Sequence, residues 1–262
     1  MLYIMRHGKT DWNAVHKLQG KTDVPLSGEG REMVEKAGRL YRDTHFDVCF
    51  CSPLIRARET AEIILRGRNI PIIEDDVFRD LWLDSPPPPP IKSLDGHGNV
   101  VYISSLSKCF APGLRLGWLV GPEAVVQRLA DVKMQMDYGV SVLTQQVAEE
   151  LLRTGLYEKG VQNIRSQLAE RRDFMIRLLE QYFSEFAEWS VPSGSFFVWV
   201  RLKNRVSAEK LFNLALKEKL LIMPGGVYDR GHSSSIRLTY GYLSYEEMEH
   251  GVRTLSEIIR AM

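Results

Sequence analysis

Short apolar runs alternate with helix-length amphipathic patterns along much of this chain, and that alternation limits the folds open to it. Short apolar runs bounded by turn residues are typical of buried strands, whereas apolar residues three or four apart indicate one face of a helix. The order predicts an α/β fold with a mixed or parallel sheet and flanking helices over residues 1–120. The predicted strands of this part are Leu2–Met5, Phe46–Cys51, Ile70–Ile73, Val100–Ser104 and Leu116–Val120.

The C-terminal part is predicted to form a smaller α+β domain. Ser244 and Glu247 have the spacing of a capping box, so we expect the last helix to begin there. The other predicted elements are helices near 122–136, 141–153, 157–186 and 207–219, and strands at Phe196–Leu202 and Ser235–Tyr240.

Five consecutive prolines, Pro86–Pro90, interrupt the alternation. Proline has a fixed φ and no backbone N–H, so this run fits neither a helix interior nor a central strand. We therefore expect the stretch from Leu83 to Gly98 to be a stiff, extended surface connection. Binding of the prolines by a proline-recognition module is an alternative.

Charge and cysteine usage narrow the class of protein. With 34 basic and 33 acidic residues, the chain has no charge excess that would favour nucleic acid or a membrane surface. Cys49, Cys51 and Cys109 fit neither a disulfide framework nor a zinc site, which predicts a reducing cytoplasm and no bound metal. No apolar run reaches the roughly 18 residues of a membrane span. We expect a soluble cytoplasmic protein that binds small molecules, with no nucleic-acid or membrane partner.

A histidine follows the first predicted strand, in the run Arg6-His7-Gly8. Open α/β sheets bind ligands at the carboxyl ends of their strands, so a substrate could reach this imidazole. Further along, Ser52-Pro53 begins a predicted helix whose positive end, together with Arg56, could hold a phosphoryl group. The two runs together indicate phosphate-ester chemistry.

These runs, with the following Lys9-Thr10-Asp11-Trp12-Asn13 and Leu18-Gln19-Gly20, resemble the histidine phosphatase family, which includes the cofactor-dependent phosphoglycerate mutases. The resemblance covers about residues 2–80. It implies that His7 is the phosphorylated nucleophile, that Arg6 and Arg56 bind the phosphoryl oxygens, and that an acidic proton donor follows. Asp80 falls near the donor position, where the family usually has Glu.

The family's second histidine has no counterpart in this sequence. The remaining histidines stand in other contexts, so the N-terminal part looks like the opening half of a phosphatase. They are His16, His45, His97, His232 and His250.

The most informative motif lies in residues 104–118 and centres on Lys108. An amine shortly after a β-rich segment, with hydroxyls before it and a Gly-flanked arginine after it, has the groups to hold a phosphorylated aldehyde cofactor. The pattern Ser-x-Ser-Lys-x-x-x-Pro-Gly-x-Arg-x-Gly resembles the fold-type I PLP enzymes, the class I/II aminotransferases, and among them the aminotransferase-like domain of MocR-type regulators. This second resemblance covers about residues 70–262.

The second resemblance implies pyridoxal 5'-phosphate as the cofactor. Lys108 would bond to its aldehyde carbon and act as acid and base. Asp75 would keep the ring nitrogen protonated, although the adjacent Asp76 could face the ring instead. Phe78 stands where many relatives have a tyrosine that donates to the cofactor. The candidates for the phosphate are Ser105, Ser107 and Arg115, and the candidate for the substrate α-carboxylate is Arg237.

The front part of a PLP enzyme has no counterpart here, and neither has the winged-helix DNA-binding segment of the regulators. The two resemblances meet in residues 68–76. We therefore expect a fusion, with a phosphatase-like segment at 1–80, the PLP-lysine part of an aminotransferase large domain at 81–154, and the small domain at 155–262. Exposed apolar surface or an unpaired strand edge is expected at such a junction.

The favoured function is that of a PLP-dependent aminotransferase that acts on an α-amino acid through Lys108. The site is expected to be incomplete on one chain, and a homodimer is one way to complete it. The first alternative is a phosphomonoesterase that uses His7 on a phosphate ester. The second alternative is a fusion without catalytic activity.

Overall fold

The computed structural model describes residues 3, 5–14, 23–52, 54–66, 71–96, 98–203, 206–228 and 234–262. The chain divides into two compact units, Met1–Gln162 and Asn163–Met262. The division falls inside a long helix. The finer boundaries predicted near residues 80 and 154 stay predictions.

The sheet of the first unit is mixed, as the sequence predicts. Its strands in chain order are β1 (Cys49–Cys51), β2 (Ile72–Asp75), β3 (Val100–Ser105) and β4 (Gly117–Val120). They lie in the order β1-β2-β3-β4, with the first two pairings parallel and the last antiparallel. The register aligns Asp75 with Ile103 and Ser105 with Gly117. The carboxyl ends of β2 and β3 therefore lie at the same edge of the sheet.

Helices complete the first unit and lead into the second. Their bounds are α1 (Asp11–Ala14), α2 (Gly28–Leu40), α3 (Ile55–Ile64), α4 (Leu106–Cys109), α5 (Glu123–Met136), α6 (Val142–Arg153) and α7 (Leu156–Phe183). Ser27 caps α2, because its hydroxyl accepts the Gly30 N–H at 3.0 Å. A small core joins α2 to α3 through Val34, Ile64 and Leu26.

Two elements of the first unit, β4 and α5, expose apolar side chains. The strand β4 stands at one end of the sheet, and Trp118 and Val120 on it are 40% and 48% exposed. In α5 no residue is buried. These features agree with the exposed apolar surface that the sequence predicts.

The proline run is anchored rather than loosely exposed. Glu74, in the centre of β2, is fully buried, and its two carboxylate oxygens accept the backbone N–H groups of Ile91 and Lys92 at 2.8 and 2.9 Å. Arg79 donates to the carbonyl oxygen of Pro88 at 2.7 Å. The extended run ends in the 3-10 helix Ile91–Leu94. A polar strand residue thus fixes a connection that the sequence indicates only as stiff.

The second unit is an antiparallel sheet with helices, as predicted for the small domain. The strands lie in the order β5-β6-β8-β7. Ser244 and Glu247 form the predicted capping box at the start of the last helix. The elements are β5 (Ala187–Trp189), β6 (Phe197–Leu202), α8 (Ala208–Lys217), β7 (Met223–Pro224), β8 (Ser235–Thr239) and α9 (Tyr245–Arg260).

Three predicted strands differ from the structure by more than one residue. The strand predicted at Phe46–Cys51 begins only at Cys49. The strand predicted at Leu2–Met5 falls partly outside the described residues, and Tyr3 and Met5 within it are not in a strand. The strand predicted at Ile70–Ile73 continues to Asp75, because Glu74 and Asp75 extend the pairing with β3. Ile70 lies outside the described residues. Polar residues at a strand end hide the true end of the strand from an apolar pattern.

Candidate active site

Lys108 lies on α4, a single helical turn that directly follows β3. The hydroxyl of Ser105 caps this turn, since it accepts the Ser107 N–H at 3.1 Å and donates to the carbonyl oxygen of Leu116 at 2.9 Å. Leu106 is buried beneath the turn, and Lys108 is exposed. The local sequence therefore buries one face of the turn and leaves the lysine amine accessible.

A guanidinium and a hydroxyl converge beside this turn. Arg115 has a left-handed backbone with φ 52°, which ends the 3-10 helix Pro112–Leu114. Its Nη1 lies 3.5 Å from Ser107 Oγ and 3.4 Å from the carbonyl oxygen of Pro112. A cation next to a hydroxyl is a suitable donor set for a phosphate group. The Ser105 hydroxyl already donates to the Leu116 carbonyl oxygen, so Ser107 is the better placed of the two serines.

The two adjacent aspartates at the end of β2 have different surroundings. Asp75 is exposed and accepts the Val77 N–H at 3.3 Å. Asp76 is buried and forms an ion pair with Arg79. Burial raises the pKa of Asp76, against the hydrogen bond from Arg79 that lowers it. This geometry favours Asp75 as the residue that can face a ligand.

Asp80 is held by a tyrosine that no sequence pattern singles out. It lies in the 3-10 helix Arg79–Leu81 after β2, and its Oδ2 accepts a hydrogen bond from Tyr157 Oη at 2.5 Å. The Tyr157 hydroxyl also lies 3.4 Å from Cys109 Sγ. Phe78 occupies the turn between Asp75 and Asp80. Tyr157 lies in the first turn of α7, 77 residues away from Asp80, so no local pattern points to this contact.

The N-terminal constellation brings its three predicted residues together. His7 Nδ1 lies 2.7 Å from the carbonyl oxygen of Gly8, which can only accept, so Nδ1 carries the proton and Nε2 is left as the nucleophilic nitrogen. Burial lowers the pKa of His7, and the positive charges of Arg56 and Arg6 lower it further. A cluster of this charge is suited to an anion.

Two residues that the sequence pattern did not indicate support this cluster. Thr60 is buried in α3; its hydroxyl accepts the Gly8 N–H at 3.0 Å and donates to the Arg56 carbonyl oxygen at 2.7 Å. Asp23 accepts the Ile55 N–H at 2.6 Å at the start of the same helix. Burial lowers the pKa of Arg56, and Asp23 opposes that shift.

The remaining histidines contribute nothing to this cluster where they are described. His45 is exposed and pairs with Asp47 at 3.3 Å, and His250 is exposed on α9. The other three, His16, His97 and His232, lie outside the described residues.

Arg237 lies in the second unit between two aromatic rings. It belongs to β8, and its guanidinium carbon is 4.0 Å from the ring centroid of Phe197 and 5.1 Å from that of Tyr228. Trp199 packs edge-on against Tyr228. Rings on its faces hold a planar guanidinium while its edges stay able to form a bidentate pair with a carboxylate.

Neither a metal cluster nor a membrane span is found in the part of the chain that the structure describes. Within it, no group of His, Cys, Asp and Glu side chains is arranged to hold a metal ion. Among the described helices, none combines the length and the apolar character needed to cross a membrane.

Two family models match the chain, and their ranges overlap. Residues 2–84 match the histidine phosphatase superfamily (branch 1), and residues 55–255 match aminotransferase class I and II. The strand β1 lies in the range matched by the phosphatase model alone, β2 in the overlap, and β3 and β4 in the range matched by the aminotransferase model alone. Both predicted resemblances are confirmed.

Curated relatives agree with the regulator-like character of the second resemblance. The uncharacterized HTH-type transcriptional regulator YdfD of Bacillus subtilis (strain 168) is 43% identical over 92% of this chain and 52% of its own length. The HTH-type transcriptional regulator NorG of Staphylococcus aureus (strain USA300) is 45% identical over 70% of this chain and 41% of its own length. The chain thus spans about half the length, or less, of these relatives.

Solved structures of aminotransferases have the same fold. The kynurenine aminotransferase of Pyrococcus horikoshii, in complex with PMP, has a TM-score of 0.78 and 27% identity, over 90% of this chain and 63% of its own. LysN, the α-aminoadipate aminotransferase of Thermus thermophilus, complexed with N-(5'-phosphopyridoxyl)-L-leucine, has a TM-score of 0.76 and 26% identity, over 87% of this chain and 62% of its own. Residues after 84 form only about two thirds of the chain. The likeness therefore extends into the range that the phosphatase model matches.

Proposed function

This chain belongs to the aminotransferase class I and II family, and on that premise we propose that it binds pyridoxal 5'-phosphate through Lys108 and transfers the amino group of an α-amino acid. The observation that carries the proposal is the turn after β3. It presents an exposed lysine beside the Arg115–Ser107 pair, at the sheet edge where β2 ends in Asp75.

The residues present fit the cofactor in charge and chemistry. Arg115 and the Ser107 hydroxyl, 3.5 Å apart, can hold its phosphate, and the exposed Asp75 can pair with its ring nitrogen. When bound, the cofactor supplies an electron sink for the amino-acid Cα. Lys108 would hold the cofactor covalently and move the proton at Cα. Arg237, fixed between Phe197 and Tyr228, would bind the substrate α-carboxylate.

The solved neighbours support the same cofactor. Two of them are aminotransferases in complex with a phosphopyridoxyl compound or with PMP. Those proteins are longer, and this chain spans 62–63% of their length. We therefore include a homodimer in the proposal, as a way for a second chain to contribute contacts to the site.

A cofactor titration tests the proposal directly. We expect wild-type protein with added pyridoxal phosphate to develop an absorbance band near the edge of the visible range, and this band should be absent in Lys108→Ala. Lys159→Ala is the matched control, since Lys159 is another exposed lysine of the same unit. A band that is missing from wild type, or that persists in Lys108→Ala, contradicts the proposed cofactor site. Formation of a 2-oxo acid from an α-amino acid then tests the transferase activity itself.

A second candidate function rests on the N-terminal cluster, where the charges of Arg6 and Arg56 act on His7. We propose phosphomonoester hydrolysis through His7 as the alternative. Hydrolysis of p-nitrophenyl phosphate should be abolished in His7→Ala and retained in His250→Ala, whose histidine is exposed on α9. Hydrolysis that survives in His7→Ala removes this alternative. If the folded protein shows neither the Lys108-dependent band nor hydrolysis of the phosphate ester, the remaining alternative is a fusion protein without catalytic activity.

We also propose a binding partner and a cellular location for the protein. YdfD and NorG are named as HTH-type transcriptional regulators, and this chain covers 52% and 41% of their length. For this chain we propose a small amino acid or phosphate ester as the partner. The three cysteines are all free thiols. Burial raises the pKa of Cys51 to about 12, which keeps that thiol protonated. We therefore propose a reducing cytoplasm as the location.

A further inference from the structure

The hydroxyl of Tyr157 connects the turn that carries Lys108 with the 3-10 helix that follows β2. It donates to Asp80 Oδ2 at 2.5 Å and lies 3.4 Å from Cys109 Sγ. Asp80 stands in the 3-10 helix that follows β2, and Cys109 is the last residue of α4, next to Lys108. One side chain from the start of α7 thus contacts both turns.

The turn that carries Lys108 needs such support because it is a single helical turn. A helix of this length is not stable by itself in water. Ser105 holds its beginning by the capping contact, and Cys109, which is 3% exposed, holds its end. The Cys109 thiol lies 3.4 Å from the Ser105 carbonyl oxygen and 3.4 Å from the Tyr157 hydroxyl. The contact with Tyr157 connects the turn to α7.

Tyr157 is itself held in place by close packing. The ring of Phe110 lies edge-on to it, with centroids 5.4 Å apart and an interplanar angle of 64°. Gly160, three residues later, makes room for Phe110, since a Cβ at that position would lie 2.1 Å from Phe110 Cε2. Burial, followed by the hydrogen bond to Asp80, raises the pKa of Tyr157 far above its usual value. The hydroxyl therefore stays protonated at neutral pH and remains a hydrogen-bond donor.

We propose that Tyr157 is a positioning residue that fixes the spacing between Lys108 and the segment that follows Asp75, the last residue of β2. The proposal rests on the proposed function, because this spacing matters only if one rigid cofactor ring contacts both residues. Small displacements in such a site weaken binding and slow the reaction. Tyr157 acts through Asp80 and Cys109 and has no assigned contact with substrate.

The first experiment measures the turn without any cofactor. Tyr157→Phe removes the hydroxyl and keeps the ring that packs on Phe110. We expect a thiol reagent to label Cys109 about tenfold faster in this variant, since the loss of one hydrogen bond makes local opening easier. Site-resolved mass spectrometry follows Cys109 separately from the other two thiols.

The matched control is Tyr240→Phe, which removes another buried tyrosine hydroxyl, one that donates to the Ser195 carbonyl oxygen at 2.9 Å. It lies in the second unit and should leave the labelling of Cys109 unchanged. Equal labelling rates in Tyr157→Phe and wild type, or equal acceleration in both variants, would overturn the proposal. Should Tyr157→Phe fail to fold, Asp80→Asn weakens the same hydrogen bond from its other side and is judged by the same rates.

The second experiment measures cofactor affinity by absorbance titration. We expect Tyr157→Phe to weaken pyridoxal phosphate binding about tenfold relative to Tyr240→Phe, when the two variants have lost similar free energy of unfolding. Unchanged affinity overturns the positioning role. Absence of a Lys108-dependent band in wild type removes the proposed function instead, and the labelling rates then still decide whether Tyr157 holds the turn.

Discussion

The carboxylate of Glu74 accepts the backbone N–H of Ile91 at 2.8 Å and so joins the middle of β2 to the far end of the proline run. Its second oxygen accepts the N–H of Lys92 at 2.9 Å. Two charge-assisted hydrogen bonds to a fully buried carboxylate are among the stronger local contacts in a protein. This relationship leads to the first prediction.

Glu74→Gln should destabilise the protein by about 2–3 kcal/mol. The side-chain amide has one oxygen and one NH₂ group, so the NH₂ group would face one of the two backbone N–H donors, and that N–H would lose its acceptor. Urea unfolding would measure the loss. Glu35→Gln, an exposed position on α2, serves as the control and should change little. Equal stability of the two variants would show that the buried carboxylate does not anchor the proline run.

Asp95 should make stability depend on pH in acid. Burial raises its pKa, but hydrogen bonds from Lys92 and from the N–H groups of Val100 and Asn99 outweigh burial and hold the pKa well below its usual range. A carboxyl whose pKa is lowered in the folded state stabilises that state above its unfolded pKa of about 3.9. This stability is lost as pH falls through the lower folded value.

The measurement is the difference in free energy of unfolding between wild type and Asp95→Asn across this pH range. We expect wild type to be more stable at neutral pH and the difference to shrink as pH falls below about 3.9. A difference that stays constant from neutral to acid pH would contradict the lowered pKa.

Separate substitutions of Asp75 and Asp76 should distinguish the residue that contacts the proposed cofactor from the residue that stabilises the fold. Asp75→Asn is expected to keep the fold and to reduce amino transfer by about 100-fold, since the ring nitrogen loses its anionic partner. Asp76→Asn is expected to lower stability, because it breaks the buried pair with Arg79. Calorimetry and transferase rates on both variants would check this. Reversed effects would assign the cofactor contact to Asp76.

Removal of the cap of the last helix should cost about 1 kcal/mol. In Ser244→Ala, α9 loses the hydroxyl that accepts the Glu247 N–H at 3.1 Å. Ser141 is a matched control, because it stands at the cap position of α6 without any side-chain capping bond. Denaturant unfolding should therefore distinguish Ser244→Ala from Ser141→Ala, and equal losses would argue against the capping contribution.

The charge of Arg6 should be visible in the titration of His7. Burial lowers the pKa of His7, and the charges of Arg56 and Arg6 add to that effect. Arg6→Gln removes one of them at an exposed position, so the midpoint of His7 should move upward. NMR of the imidazole proton would follow it, with Arg39→Gln as the exposed control on α2. A midpoint that does not move would separate Arg6 from the anion cluster.

Local patterns were enough to predict the elements that depend on neighbouring residues. The capping box of Ser244 and Glu247 lies within four residues, and its contacts are those that the pattern predicts. The α/β character of the first unit was predicted from the alternation of apolar runs and helical patterns, whereas the antiparallel strand order of the second unit was not predicted. The short strands β5 and β7 were missed, because three and two residues are too few to display a period.

Contacts between distant residues could not be predicted in this way. Glu74 is separated from Ile91 by the proline run, and Asp80 from Tyr157 by 77 residues. A sequence pattern specifies which face a residue lies on, but a long-range partner depends on how the elements pack. The choice between Asp75 and Asp76 needed the structure for the same reason, since both are carboxylates at the end of one strand.

The sheet of the first unit crosses the boundary between the two family matches. Because β1 pairs with β2 and β2 pairs with β3, a cut after residue 84 would leave two strands on one fragment and two on the other. Two-stranded sheets are marginal in water. The first unit is therefore not expected to form from either fragment alone, and residues that match two different families are expected to fold together in it as one cooperative unit.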